Sequence, residues 1–145
     1  MSKTLMGKVR FLFATVLSAW LLTGTAWASE IPNTPENVVK QYYTALQARK
    51  YDDAYDLMTP DMIEGRTKEE HAADWKNIVD MGSVILHDFG VTSVKVDGDT
   101  AKVEAWTRAS DVFNKDGIIE KEIDHLKRID GVWKLDATEV LLERP

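Results

Sequence analysis

The stretch spanning residues 118–142 constrains the fold more than any other, because it reads as two strands joined by Asp130-Gly131. Asp-Gly between β-rich runs is a strong hairpin signal, since glycine accepts the positive φ that a two-residue turn demands. Beyond the turn, Trp133, Leu135 and Ala137 alternate with Lys134, Asp136 and Thr138. One face is therefore apolar and the other wet. A sheet greasy on one side needs a cover, and the first half of the chain offers helices to supply it.

Thr34-Pro35-Glu36 is a helix start. The threonine can cap free N–H groups, the proline sits where its missing N–H costs nothing, and the acid complements the helix dipole. Val38, Val39, Tyr42, Tyr43, Ala45 and Leu46 then form an apolar stripe that runs to about Arg49. A second short helix is predicted over about 52–58, and Thr59-Pro60-Asp61 repeats the start signal for a further turn through Ile63. Thr67 and Glu70 have the spacing of a capping box, and the third helix runs to about Met81 before Gly82. Its core stripe is Ala72, Trp75, Ile78 and Val79, with His71 at the edge.

From Ser83 the period changes to two. Ile85, Phe89 and Val91 share one parity while Val94 and Val96 have the other, which predicts a β-bulge between Gly90 and Ser93. Asp97-Gly98-Asp99 turns into a strand where Ala101, Val103, Ala105 and Ala109 alternate with Lys102, Glu104, Trp106 and Arg108. Residues 114–117 then turn into the closing hairpin. Helices first and a four-strand antiparallel meander afterwards make an α+β domain.

The N-terminus has the three regions of an export leader. Lys3, Lys8 and Arg10 form a basic segment, an apolar run covers 11–22, and Ala26-Trp27-Ala28 is a small-residue cleavage site. The apolar run falls well short of the roughly 20 residues that span a bilayer. The expectation is a signal peptide over 1–28, cut after Ala28, and one domain over 29–145, periplasmic or extracellular. With no cysteine in the chain, a lipid anchor on that residue and every thiol mechanism are excluded, and the core alone must hold the exported fold. The net charge is already −6, and losing three leader cations makes it more acidic. That balance disfavours nucleic acid or an anionic membrane surface as a partner. The dispersed basic residues add to the case against nucleic acid, so neither nucleic acid nor, after cleavage, a membrane is expected as a partner.

Residues 34–46 (TPENVVKQYYTAL), 51–60 (YDDAYDLMTP) and 126–135 (LKRIDGVWKL) resemble the first two helices and the last hairpin of the nuclear transport factor 2-like (cystatin-like) superfamily. The resemblance implies a cone: three N-terminal helices packed in the concave face of a curved four-stranded antiparallel sheet, with a cavity at the open end. The superfamily includes isomerases, dehydratases, polyketide cyclases, transport adaptors and exported domains without assigned chemistry. Its isomerase-like members use a helix-one tyrosine as an oxyanion donor beside sheet carboxylic acids. Tyr42 or Tyr43 resembles that tyrosine by position.

Candidate site residues follow from this frame. The three histidines, His71, His87 and His125, have no metal-ligand spacing, so no metal or cofactor is expected. His125 shares the parity of Ile123 and Ile129 and is expected to face the cavity with His71, whereas Glu120, Glu122 and Asp124 are expected to face solvent. Tyr42, His71, Trp75, Phe89 and His125 are the candidate ligand-binding set, and His71, His125 and Tyr42 the catalytic candidates. Trp106, flanked by Lys102, Glu104 and Arg108, is the candidate contact with a second copy. There is no serine-nucleophile elbow and no phosphate loop. The first expectation is an exported, non-enzymatic domain that binds a small apolar ligand or a partner protein. The alternatives are a small isomerase- or lyase-type cavity enzyme and a dimeric assembly module.

Overall fold

The computed structural model describes residues 30–141, so the leader expected over 1–28 lies outside the described residues. Helix α1 (Pro35–Gln47) begins as its start signal requires, the Thr34 hydroxyl accepting the Asn37 N–H at 3.2 Å. Helix α2 (Tyr51–Asp56) and the single turn α3 (Pro60–Ile63) follow, with Thr59 capping α3 through the Met62 N–H. Helix α4 (Lys68–Gly82) opens with both halves of the Thr67–Glu70 capping box. The further turn foreseen after the second helix is thus a separate segment, and the helices number four among the described residues.

Strands β1 (Ile85–Asp97), β2 (Thr100–Ser110), β3 (Ile118–Ile129) and β4 (Val132–Leu141) form one antiparallel sheet in sequence order. At the β3–β4 turn, Asp130 and Gly131 have φ of 51° and 81°, as the favoured two-residue hairpin turn requires. The helices pack against the curved sheet's inner face, and α1 lays Val38, Val39, Tyr42 and Tyr43 against Val103, Leu126, Trp133 and Leu135. This is the α+β cone expected.

Three extra residues bend the sheet. Thr92 is inserted in β1, where the change of parity predicts a bulge, so Phe89 and Val91 share a face with Val94 and Val96. A second insertion at His87, unforeseen, turns Leu86 inward and leaves Ile85 half exposed. The third, Asp136, lies between Leu135 and Ala137 in β4. It moves Ala137 off the inner face and brings Thr138 onto it, correcting the simple alternation read from the sequence. In α4 the buried positions are His71 and Val79, with Trp75 between them, whereas Ile78 is exposed.

The free edge of β4 is not left open. The Asn33 side-chain amide pairs with the Trp133 backbone, accepting its N–H at 2.7 Å and donating to its carbonyl at 3.3 Å. Two residues on, the Leu135 N–H donates to the Leu57 carbonyl at 2.8 Å and its carbonyl accepts the Thr59 N–H at 2.7 Å.

Candidate functional site

The inner face of β3 carries the least expected feature of the molecule. Glu122 and Asp124 point toward α1 beside Leu126 and are buried, Asp124 completely. His125 points the other way. The expected orientation of this strand is therefore reversed, and the register explains why. The two-residue turn sets Leu126 opposite Leu135 and Arg128 opposite Trp133, and residues directly opposite share a face. Since Leu135 is buried, the even-numbered residues of β3 must be inward.

Five side chains from four elements meet there. The Tyr43 hydroxyl, on α1, lies 2.5 Å from Glu122 Oε2 and 3.0 and 3.2 Å from the two Asp124 oxygens. Thr107 of β2 donates to Glu122 Oε1 at 2.8 Å, and Thr138 of β4 donates to Asp124 Oδ1 at 2.7 Å. Among the described residues no lysine or arginine pairs with either acid. Such burial of charge is costly unless a proton or a cation answers it. Burial pushes the Asp124 carboxyl up to about 6; the Thr138 and Tyr43 hydrogen bonds pull it down, and Glu122 adds to the rise. Burial first, then the negative charges of Asp124 and Glu122, hold the hydroxyls of Tyr42 and Tyr43 well above the ordinary tyrosine range. Both phenols stay protonated, and Tyr43 donates to the two acids. Tyr43 has one proton for two acids, and protonation of Asp124 below about pH 6 removes one of the two negative charges that compete for it.

The upper end of this cluster opens into a cavity of about 490 Å³ between α1, α4 and the sheet. Tyr42, Tyr43, Leu46, Tyr51, Trp75 and Val140 give it a mostly apolar and aromatic wall, and Glu122 and Thr138 its polar floor. Asp124 stands behind that floor, out of reach of the cavity. Tyr51 stacks on Trp75, their rings 6.2 Å apart and inclined by 12°. The Tyr51 hydroxyl is buried without a hydrogen-bond partner among the described residues.

Of the five ligand-binding candidates, Tyr42 and Trp75 line the cavity. Phe89 backs it, its ring 5.6 Å from that of Tyr43. His71 does not reach it. That ring is wedged between Tyr55 and Trp75, both nitrogens lack partners, and burial followed by the nearby Arg66 charge lowers its pKa, so it is neutral at pH 7. His125 lies on the outer face, 3.5 Å from Glu139, beside a polar depression lined by Lys95, Lys102 and Asp136. Trp106 is half-buried on that outer face, against Gly90, where an added Cβ would come within 2.5 Å of the indole nitrogen. His87 is exposed at its bulge, 2.7 Å from the Ser110 hydroxyl. Among the described residues, no three His, Cys, Asp or Glu side chains are grouped to hold a metal ion, and no helix is long and apolar enough to cross a membrane.

No protein-family model matches the sequence, and no curated protein matches it. Solved structures do resemble it. A SEC-C motif-containing protein from Rhodopseudomonas palustris is 15% identical with a TM-score of 0.61, over 75% of this chain and 80% of that one. A nuclear transport factor 2-like protein of unknown function from Pseudomonas putida is 14% identical with a TM-score of 0.53, over 72% and 80%. A ketosteroid isomerase-like protein from Erwinia carotovora atroseptica is 19% identical with a TM-score of 0.54, over 74% and 94%. At these identities the likeness is one of fold.

Proposed function

We propose that this chain, a cone of the nuclear transport factor 2-like fold, is an exported domain that takes a small, largely apolar molecule into its cavity and leaves it chemically unchanged. The cavity carries this reading. It is of small-molecule size and walled by aromatic and aliphatic side chains, the usual make-up of a binding pocket. The hydroxyls of its floor are already committed, Thr107 and Tyr43 to Glu122 and Thr138 to Asp124, which holds the floor in one orientation. The basic, apolar and small-residue succession over 1–28 supports export.

Thermal shift with a panel of apolar ligands tests the binding, alongside Ala109→Trp, which places a large ring in the cavity. Uptake by the native chain and none by the filled variant supports the proposal; equal uptake refutes it. Fractionation of cells making the full chain tests export, which predicts a mature protein starting at Ser29.

One observation favours a second reading, acid–base chemistry of the isomerase or lyase type. A buried phenol held between two carboxyl groups, one with a raised pKa, can polarise a carbonyl or shuttle a proton. The buried acid within reach of a ligand is Glu122, with Glu120 also bordering the space, whereas neither histidine candidate lines it. Turnover lost in Glu122→Gln would favour the enzyme.

A further inference from the structure

The floor and wall of the cavity differ in character, and the difference bears on charge. Glu122 reaches the floor, Asp124 lies behind it, and Glu120 also borders the space. Each oxygen of Glu122 accepts from a neutral hydroxyl, Thr107 on one side and Tyr43 on the other. The one cation at the mouth among the described lining residues is Arg49, which is largely exposed and lies 3.6 Å from Asp80. Among the described residues the buried acids thus lack a paired counter-charge. Around them stand the rings of Tyr42, Tyr43, Tyr51 and Trp75, whose faces attract cations.

A second, independent feature points to an occupant. Tyr51 is more than nine-tenths buried, borders the cavity, and leaves its hydroxyl without a partner among the described residues. A buried hydroxyl without a partner costs stability, and its oxygen can accept a hydrogen bond from a bound molecule.

We infer that the cavity selects an organic cation: an apolar body bearing a protonated amine, its ammonium directed toward Glu122 among the aromatic rings and within reach of the Tyr51 oxygen. This rests on the reading of the cavity as a ligand site and adds the class of ligand. Neutral molecules of the same shape lack the charge that the acids call for, and an anion would sit against Glu122 with nothing to offset it.

Three probes of one shape separate the possibilities: adamantan-1-amine, adamantan-1-ol and adamantane-1-carboxylate, titrated calorimetrically into the mature chain at pH 7.5. The amine is expected to bind about tenfold tighter than the alcohol, as a desolvated cation–π contact plus a charge-assisted hydrogen bond allows. The carboxylate is not expected to bind. Glu122→Gln should cut the preference for the amine over the alcohol several-fold, leaving the part that the aromatic rings supply, and an unchanged preference overturns the assignment. Tyr51→Phe keeps the ring, removes a hydroxyl without a hydrogen-bond partner among the described residues, and should weaken the amine about fivefold. Equal binding of amine and alcohol to the native chain, or preference for the carboxylate, overturns the cation assignment while leaving a ligand cavity in place. An unchanged amine affinity in Tyr51→Phe also overturns it. Failure of all three probes to bind overturns both readings.

Discussion

Replacing Asp124 by asparagine tests the electrostatics of the buried cluster through stability, independently of any ligand. In the fold this carboxyl is pushed from 3.8 to about 6, chiefly by burial. The sign follows from linkage: the folded state binds the proton more tightly than the unfolded one, so the group's contribution is full below about pH 4 and is lost as pH rises through about 6. A shift of about two units at about 1.4 kcal/mol each gives a loss of about 3 kcal/mol between those limits. Asparagine keeps an oxygen to accept from Thr138 and Tyr43 but cannot ionise. Urea unfolding followed by tryptophan fluorescence, at intervals from pH 3.5 to 8, measures both proteins. The difference in unfolding free energy, asparagine variant minus native, should move by about 3 kcal/mol in favour of the variant across pH 4–7. Groups remote from Asp124 titrate alike in both chains and cancel. A difference that stays flat across that window refutes the raised carboxyl.

Trp133→Ala empties a buried position against α1 and should cost about 3–5 kcal/mol in the same unfolding assay; a cost under about 1 kcal/mol refutes its place in the core. His71→Phe removes a buried imidazole whose pKa is lowered, so the native chain loses stability as pH falls below about 6.5 and the variant should lose less. Melting temperatures at pH 5 and pH 8 check this, and an equal acid loss in both chains refutes it. Pairing of two copies through the outer sheet face predicts a dimer by sedimentation that Trp106→Ser converts to a monomer; a native chain that sediments as a monomer at high concentration refutes it.

The fold was legible wherever local chemistry decided it. Thr34-Pro35, Thr59-Pro60 and the Thr67–Glu70 pair fix helix starts through hydrogen bonds made within four residues. Asp130-Gly131 fixes the turn by its positive φ values, and the change of parity in β1 betrays the Thr92 bulge. The site was less legible because it depends on register. Ile123 and Ile129 suggested an inward odd-numbered face for β3, although Ile129 is exposed beside the turn. The contrary signal was present: a two-residue turn places Leu126 opposite Leu135, which carries Asp124 and Glu122 inward with it. Acidic residues are solvated by default, and in β3 the register of the hairpin overrides that tendency. The bulges at His87 and Asp136 left no mark in the hydrophobic pattern, so the positions of Leu86 and Thr138 could not be read from alternation.

The clasp on β4 bears on how copies of this protein meet. A bare strand border invites another chain to zip onto it and continue the sheet without limit. Here the Asn33 amide and the segment around Leu57 and Thr59 already occupy the backbone groups of Trp133 and Leu135. A growing ribbon of molecules therefore finds no foothold along that stretch, and removing the Asn33 amide would unlatch part of it.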